Sequence, residues 1–318
     1  MLKKIFRFLG LICFVSIISI FIINKATVAH EKPLVDNGQI ISQNSEAINI
    51  RIIPLKDNIY MLTGEGGNIG LSVGDDGVLM IDSQFAYLSD KIKNEIKLIN
   101  RRPINYLINT HYHFDHVGGN ENFANDGAVI IAHDNTFKQM QKDHSYPVLG
   151  MDVKASPASA LPKITFNDVS NFHINGNHIK AFAVPPAHTN SDIVIHFAKE
   201  NIIHTGDLFF NGFYPFIDTE AGGSIDGMIS AIDQILALSN EQTIIIPGHG
   251  ERGDRASLIK FQEMLKTVNE RVKERIAQNM TLDDIISEKP LADLDQEWGD
   301  GFLTSDQFLT IAYQGIKN

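Results

Sequence analysis

The chain of 318 residues has one cysteine, Cys13, and one tryptophan, Trp298. Cys13 lies inside the N-terminal apolar run, so the rest of the chain carries no thiol. That remainder can form no disulfide and offers no thiolate to a metal, and its stability has to come from a packed core. Positive charge is also short: 27 Lys and Arg stand against 38 Asp and Glu, a formal net charge of −11. A surface of that sign speaks against nucleic acid, an anionic membrane face or a large polyanionic substrate as partner. No internal period of roughly 20–50 residues is visible, which argues against a solenoid or a propeller.

The N-terminus has a pattern of its own. Lys3, Lys4 and Arg7 come first, residues 8–23 are apolar and uncharged, and Thr27-Val28-Ala29 supplies small residues for a cleavage site. This order predicts a secretory signal peptide over residues 1–29 and a periplasmic or secreted protein. The alternative is an uncleaved N-terminal membrane anchor, the one membrane association that the sequence offers. Ile12, ahead of Cys13, does not suit a lipoprotein site. Without Lys3, Lys4, Arg7 and Lys25 the formal charge moves from −11 to −15.

Residues 30–46 are polar and irregular and read as a tether. Beyond them, short apolar or alternating runs at 48–53, 59–62, 69–73 and 78–81 are divided by turn residues, which predicts an antiparallel meander. A helical period at 88–99 follows, then strands at 104–108 and 128–132 and a helix near 135–142. Residues 144–165, rich in Pro, Ser and Ala, read as a long loop or flap of functional character. Strands at 178–184, 193–197 and 201–204 precede a helix at 224–238, a strand at 243–246 and a helix at 255–276. The pattern predicts an α+β fold of mixed sheets covered by helices, with a principal domain at 47–278. Residues 279–318 read as a helical C-terminal extension, docked by Trp298, Phe302, Phe308 and Tyr313.

The chemistry is concentrated just after the strand at 104–108. There His111-Tyr112-His113-Phe114-Asp115-His116 leads into Gly118-Gly119. Histidines at i and i+2 project to one side of an extended chain, so one metal ion can take both. Asp115 and His116 can face a second ion, and the two glycines let the backbone turn tightly into the next helix. Three more candidates each stand past a predicted strand beside a turn former: His188 after Pro185-Pro186, Asp207 after Gly206, and His249 between Gly248 and Gly250. One such histidine is usually structural; the whole series in order reads as a metal centre. His133, His173, His178, His196 and His204 read as packing or surface residues. His30 falls at the expected new N-terminus. His144, in the flap, reads as structural, with substrate contact as its functional alternative.

In order, spacing and flanking glycines these motifs resemble those of the metallo-β-lactamase superfamily, across residues 48–270 or so. The resemblance implies an αββα sandwich with the metal site at one edge between the two sheets. It implies His111, His113 and His188 as ligands of a first ion, Asp115, His116 and His249 as ligands of a second, and Asp207 as the bridge. Nitrogen and oxygen donors without thiolate suit two zinc ions, with iron or manganese as alternatives. Two such ions would lower the pKa of a bridging water until it is hydroxide. That hydroxide, oriented by Asp115, would attack an ester, lactone, thioester or amide carbonyl.

The pattern departs from one branch of the superfamily. β-Lactamases with cysteine at the bridging position usually carry a lysine three residues on, which grips the antibiotic carboxylate. Here Asp207 is followed at that distance by Phe210. Residues 208–216 are aromatic and uncharged, and read either as a pocket wall for an uncharged or aromatic small molecule or as packing at the sheet edge. The acidic tail lacks the basic region that glyoxalase-II-like enzymes use for their substrate. β-Lactam hydrolysis is therefore the second reading. A non-catalytic metal-binding protein is the third, weakened because none of the seven positions is missing.

Overall fold

The computed structural model describes residues 34–36, 39–41 and 45–317. The expected signal segment 1–29 and much of the expected tether lie outside the described residues. Within the tether, β1 (Leu34–Asp36) and β2 (Gln39–Ile41) pair as a short antiparallel hairpin. Among the described residues no helix is long and apolar enough to cross a membrane.

The meander forms as its alternation predicts. β3 (Arg51–Lys56), β4 (Ile59–Thr63), β5 (Ile69–Gly74) and β6 (Gly77–Ile81) run antiparallel to one another. β7 (Ile104–Ile108) and β8 (Val129–His133) join the same sheet in parallel. α1 (Ser89–Ile99) lies between β6 and β7, α2 (Phe114–Val117) and α3 (Asn120–Asn125) lie between β7 and β8, and α4 (Asp134–Met140) follows β8. The flap holds a hairpin, β9 (His144–Tyr146) with β10 (Met151–Val153), and ends in β11 (Ile164–Phe166), which completes a seven-stranded sheet. The second sheet takes six strands in sequence order: β12 (Val169–Ile174), β13 (Asn177–Ala183), β14 (Ile193–Phe197), β15 (Ile202–Asn211), β16 (Ile244–Gly250) and β17 (Gly253–Asp254). Only its β15–β16 pair is parallel.

Side-chain period two sorts these strands into layers. Met61, Ile81 and Ile108 of the first sheet meet Ile179, Ile195 and Ile246 of the second in a shared apolar layer. Val78 and Met80, the alternate residues of β6, face the other way, where α1 lays down Ile92 and Ile96. Ile203 and Ile245 likewise turn to the outer face of the second sheet, under α5 (Ile225–Leu238) and α6 (Arg255–Ala277). Helix, sheet, sheet, helix is the αββα sandwich that the resemblance implied.

Local chemistry sets the helix ends. Asp254 caps α6 by accepting from Ser257 N (2.8 Å), and Ser257 Oγ accepts from Asp254 N (2.8 Å). Such a cap contributes about 1 kcal/mol. The C-terminal helices α7 (Leu282–Glu288), α8 (Asp295–Trp298) and α9 (Ser305–Lys317) share the apolar layer of α5 and α6. Phe308 stacks on Tyr214 at 4.9 Å, Trp298 lies 6.0 Å from Phe261, and Arg271 forks onto Asp293 at 2.6 and 2.8 Å. Burying an aromatic ring of this kind contributes roughly 1.5–3 kcal/mol.

Among the strands without a counterpart in the sequence pattern are β11 and β12, each at the border of its sheet. β11 is three residues long, and β12 is an edge strand whose Val169, Asn171 and His173 are exposed, so neither offers a strong apolar signal. The strand expected at 201–204 also runs further, to Asn211.

Candidate metal centre

All seven predicted residues converge at one edge of the sandwich, where the loop after β7 meets the segments around β14, β15 and β16. They fall into two groups with donor atoms inside a 4.8 Å span: His111, His113, His188 and Asp207 in one, and Asp115, His116 and His249 in the other.

Asp207 does not sit past the end of its strand, as its sequence position had indicated. It lies within β15, beside an irregularity where the ladder with β16 shifts register on both sides of Gly206. Gly206 has φ +51°, and the Thr110 side chain fills the space where a Cβ would stand. A bulge of this kind re-aims the following side chain, and here it turns the carboxylate into the site. His249 is likewise within β16, directly across the ladder from Phe210.

The far nitrogen of four of the five imidazoles is fixed by a hydrogen bond, which assigns the tautomer. His111 Nδ1 donates to Thr110 Oγ1 (3.0 Å), and that hydroxyl donates to Asp82 Oδ2 (2.7 Å). His116 Nδ1 donates to Asp82 Oδ2 (2.8 Å), His188 Nδ1 to the Phe216 carbonyl (2.8 Å), and His113 Nε2 to Asp218 Oδ2 (3.1 Å). In the group of His111, His113 and His188 the other nitrogens are thereby left as lone pairs that face one another. His113 Nδ1 is 3.1 Å from His111 Nε2 and 2.8 Å from His188 Nε2. No proton is left to lie between them.

Asp207 reaches both groups. Its Oδ2 is 3.5 Å from His188 Nε2 and 3.4 Å from His249 Nε2, and its Oδ1 is 3.0 Å from His116 Nε2. That Oδ1 is buried and accepts no hydrogen bond. Asp115 Oδ2 lies 3.1 Å from His249 Nε2 and 3.5 Å from His116 Nε2. Space is reserved by two glycines: a Cβ on Gly248 would sit 2.0 Å from Asp207 Oδ1, and one on Gly67 2.1 Å from the His116 ring. Facing lone pairs, an orphaned buried oxygen and a nitrogen–oxygen donor set without sulfur fit divalent cations.

The electrostatics agree. Burial drives His111 well below the usual histidine range and His188 down to about 3, so both are neutral lone-pair donors. Burial also opposes charge on His116 and His249, but the facing carboxylates outweigh it. Asp207, Asp115 and Asp82 hold His116 well above its ordinary value, and Asp207 and Asp115 raise His249 to about 9. Asp207 stays well below the carboxylate range despite burial because His116, His249 and His111 surround it. A cation entering the site would displace the protons that balance these carboxylates.

Sequence reasoning missed the two carboxylates that hold the imidazoles. Asp82 directly follows the apolar β6 at φ +62°, and accepts from Thr110 N (2.7 Å) as well as from Thr110 Oγ1 and His116. Asp218 accepts from His113 Nε2, from Tyr112 OH and from Ala221 N (3.0 Å). A polar residue closing an apolar strand was the available signal for Asp82; Asp218 had none. His30 lies outside the described residues, and the other histidines set aside remain outside the cluster. His204 is buried and bonded to Asn68 O and Gly206 N, His133 caps α4 through Asn135 N, and His144 bonds the Gln139 carbonyl.

The fold and the donor set together are those of the metallo-hydrolase class. The sequence pattern described as the Metallo-beta-lactamase superfamily matches residues 62–249. The chain belongs to that superfamily. It is similar to the metallo-beta-lactamase type 2 of Bacillus cereus, 25% identical over 233 residues that span 70% of this chain and 85% of that one. A hydroxyacylglutathione hydrolase of Pelagibacter ubique is 26% identical over 199 residues, 61% of this chain and 67% of the other. Among solved structures, a metallo-beta-lactamase from Pontibacter korlensis matches with a TM-score of 0.58 at 16% identity, over 69% of this chain and 99% of that one. A sec-alkylsulfatase from Pseudomonas sp. matches with a TM-score of 0.64 at 17% identity, over 83% of this chain and 50% of the other. Relatives named for different reactions share the scaffold, so the substrate has to be argued from this site.

Proposed function

We propose that the protein is an exported dinuclear zinc hydrolase acting on an uncharged ester, lactone or thioester. The observation that carries this reading is the pair of donor groups joined by Asp207, buried on one side and open on the other. Side chains of His111, His113, His116, His188 and Asp207 are at most 5% exposed, whereas Asp115 and His249 keep 16% and 18%. A substrate therefore meets Asp115 and His249 first. Zinc held there would supply a Lewis acid for the carbonyl and an activated water.

The chain's own residues do the rest. Asp115, the accessible carboxylate, orients the attacking water and receives its proton. The water oxygen bonds to the carbonyl carbon, the bond from that carbon to the leaving oxygen or sulfur breaks, and the proton ends on the leaving atom. Asp82, Thr110 and Asp218 keep the imidazoles in register through the cycle, and the buried setting makes each of their hydrogen bonds stronger than in water.

Preference for an uncharged substrate is supported by what flanks the site. Phe210, three residues after Asp207, is fully buried and stacks on His249 at 5.1 Å. Among the described residues no lysine or arginine is ion-paired to any of the seven. A charge-assisted contact to a carboxylate contributes roughly 1.5–3 kcal/mol, about ten- to hundred-fold in binding, and the Phe210 side chain cannot make it. β-Lactam hydrolysis is accordingly the weaker reading.

The test is the zinc-loaded mature protein on a chromogenic cephalosporin, an aryl ester, an acyl-homoserine lactone and a glutathione thioester, with elemental analysis beside it. About two zinc ions per chain and turnover of at least one neutral substrate are expected. A cephalosporin efficiency above ~10⁵ M⁻¹s⁻¹ would reverse the order of the readings. Export is tested separately by fusing residues 1–35 to a reporter active only outside the cytoplasm; an inactive, well-expressed fusion would end that part of the proposal.

A further inference from the structure

Phe302 lies beyond the superfamily match, which ends at His249, and outside the ligand set. It nevertheless stands at the open side of the site. The His249 ring has Phe210 stacked on it at 5.1 Å and 17°, and Phe302 beside it at 6.2 Å and 50°. Phe210 is fully buried and forms a floor. Phe302 is half-buried, 6.1 Å from Phe210 and 6.4 Å from the half-buried Phe213. Apolar surface is thus kept open to solvent right beside an accessible metal-binding residue, which is an expensive place to leave it unless something covers it.

The wall is rigid. Tyr214 N donates to the Trp298 carbonyl (2.9 Å), which ties the strand-following segment to the end of α8. The chain then passes so close at Gly301 that a Cβ there would lie 2.5 Å from the Phe213 Cβ. On the far side α9 is anchored twice. Phe308 stacks on Tyr214, and Gln307 Nε2 donates to the Val148 carbonyl (2.8 Å) in the turn between β9 and β10. A ring positioned before the ligand arrives loses little freedom on binding, so its contact area is converted into affinity efficiently.

We infer that Phe302, with Phe213 beside it, is a specificity-determining wall that takes an aryl or arylalkyl group of the substrate next to His249. This rests on the hydrolase reading above and adds a substrate class to it. Residues 299–304 then have a part in recognition although they come from the C-terminal extension.

The experiment compares the zinc-loaded wild-type protein with Phe302→Ala on benzyl acetate, methyl phenylacetate and methyl acetate. It also measures the affinity of benzylacetone, the methylene-for-oxygen isostere of benzyl acetate, by Trp298 fluorescence. The expected result is a fall of about tenfold in the aryl-to-methyl ratio of kcat/KM for at least one aryl ester, carried by KM, and a comparable rise in the benzylacetone Kd. Phe302→Leu, which keeps apolar bulk, should show about a threefold effect in the same direction, and it carries the test if Phe302→Ala does not fold. Ratios and Kd all within twofold of wild type in a folded variant would overturn the inference. If the wild type hydrolyses none of the three esters, the ester reading fails by itself, and the benzylacetone Kd still decides whether the wall exists.

Discussion

His111, His113 and His188 are at most 4% exposed, and each has its far nitrogen hydrogen-bonded, to Thr110, Phe216 or Asp218. Asp115 and His249 are 16% and 18% exposed, and His249 is steadied by stacking on Phe210. Only His116 in this second group has a buried carboxylate, Asp82, behind it. On the proposed dinuclear reading, the first half would retain an ion and the second would receive one together with a substrate. Burial and outer hydrogen bonds distinguish them, since the donor types are nearly the same.

The change with the largest expected effect removes what the halves share. Asp207→Ala should cut turnover by several orders of magnitude and drop bound zinc below one ion per chain, read by elemental analysis. Asp207→Cys should recover part of the metal, since thiolate is a competent zinc ligand.

Next come substitutions that act on one half. His249→Ala should leave about one zinc per chain, while His188→Ala should disable the tighter site. In the wild type, a chelator should strip zinc in two phases, the exposed half first. Loss of both ions at a single rate would erase the distinction between the halves.

Smaller effects are expected one layer out. Asp218→Ala should weaken the closed half, and Asp82→Ala chiefly the open half through His116 and to a smaller extent the closed half through Thr110 and His111, each by roughly ten- to hundred-fold in metal affinity at the half most affected, measured by competition with a zinc indicator. Equal weakening of both phases by either variant would show that the halves are not separately supported.

The smallest effect belongs to His133→Ala, away from both halves. Turnover should stay within about twofold, and stability should fall by roughly 1 kcal/mol through loss of the α4 cap. Burial lowers the folded-state pKa of His133 below the ordinary 6.5. The neutral ring's contribution is therefore complete above that pH and is lost as pH falls below it. The stability difference from wild type, by urea unfolding, should be largest above pH 6.5 and shrink on acidification. A difference that grows with acid would contradict the assignment.

The residues that converge at the candidate metal centre were legible in sequence because each is scarce in type and marked by neighbours: His111 and His113 by their spacing, His188 by two prolines, His249 by flanking glycines. The meander was legible because β3 to β6 alternate or run apolar between strong turn residues. The supports were not legible, since what makes Asp82 and Asp218 special is a contact across the chain, 34 residues from His116 and 105 from His113. Asp207 was found for its place in the series but misplaced locally, because a bulge lets the ladder continue past it. Within the aromatic segment Phe209 and Tyr214 are core, as the packing alternative expected, Phe210 is core and backs His249, and Phe213 and Phe216 remain half-buried.

The origin of the seven residues has a mechanical consequence. His111, His113, Asp115 and His116 follow a strand of the first sheet, whereas Asp207 and His249 are carried on adjacent strands of the second and His188 precedes β14. Cations held between them would stitch one sheet to the other at an edge, in a chain that beyond residue 13 has no cysteine with which to do so. Shear between the sheets would have to stretch every coordinate bond at once. Saturating metal at a hundred times its Kd would add about 2.7 kcal/mol against unfolding. The centre would then act as a removable rivet, and metal supply would regulate how long the protein lasts as well as how fast it works.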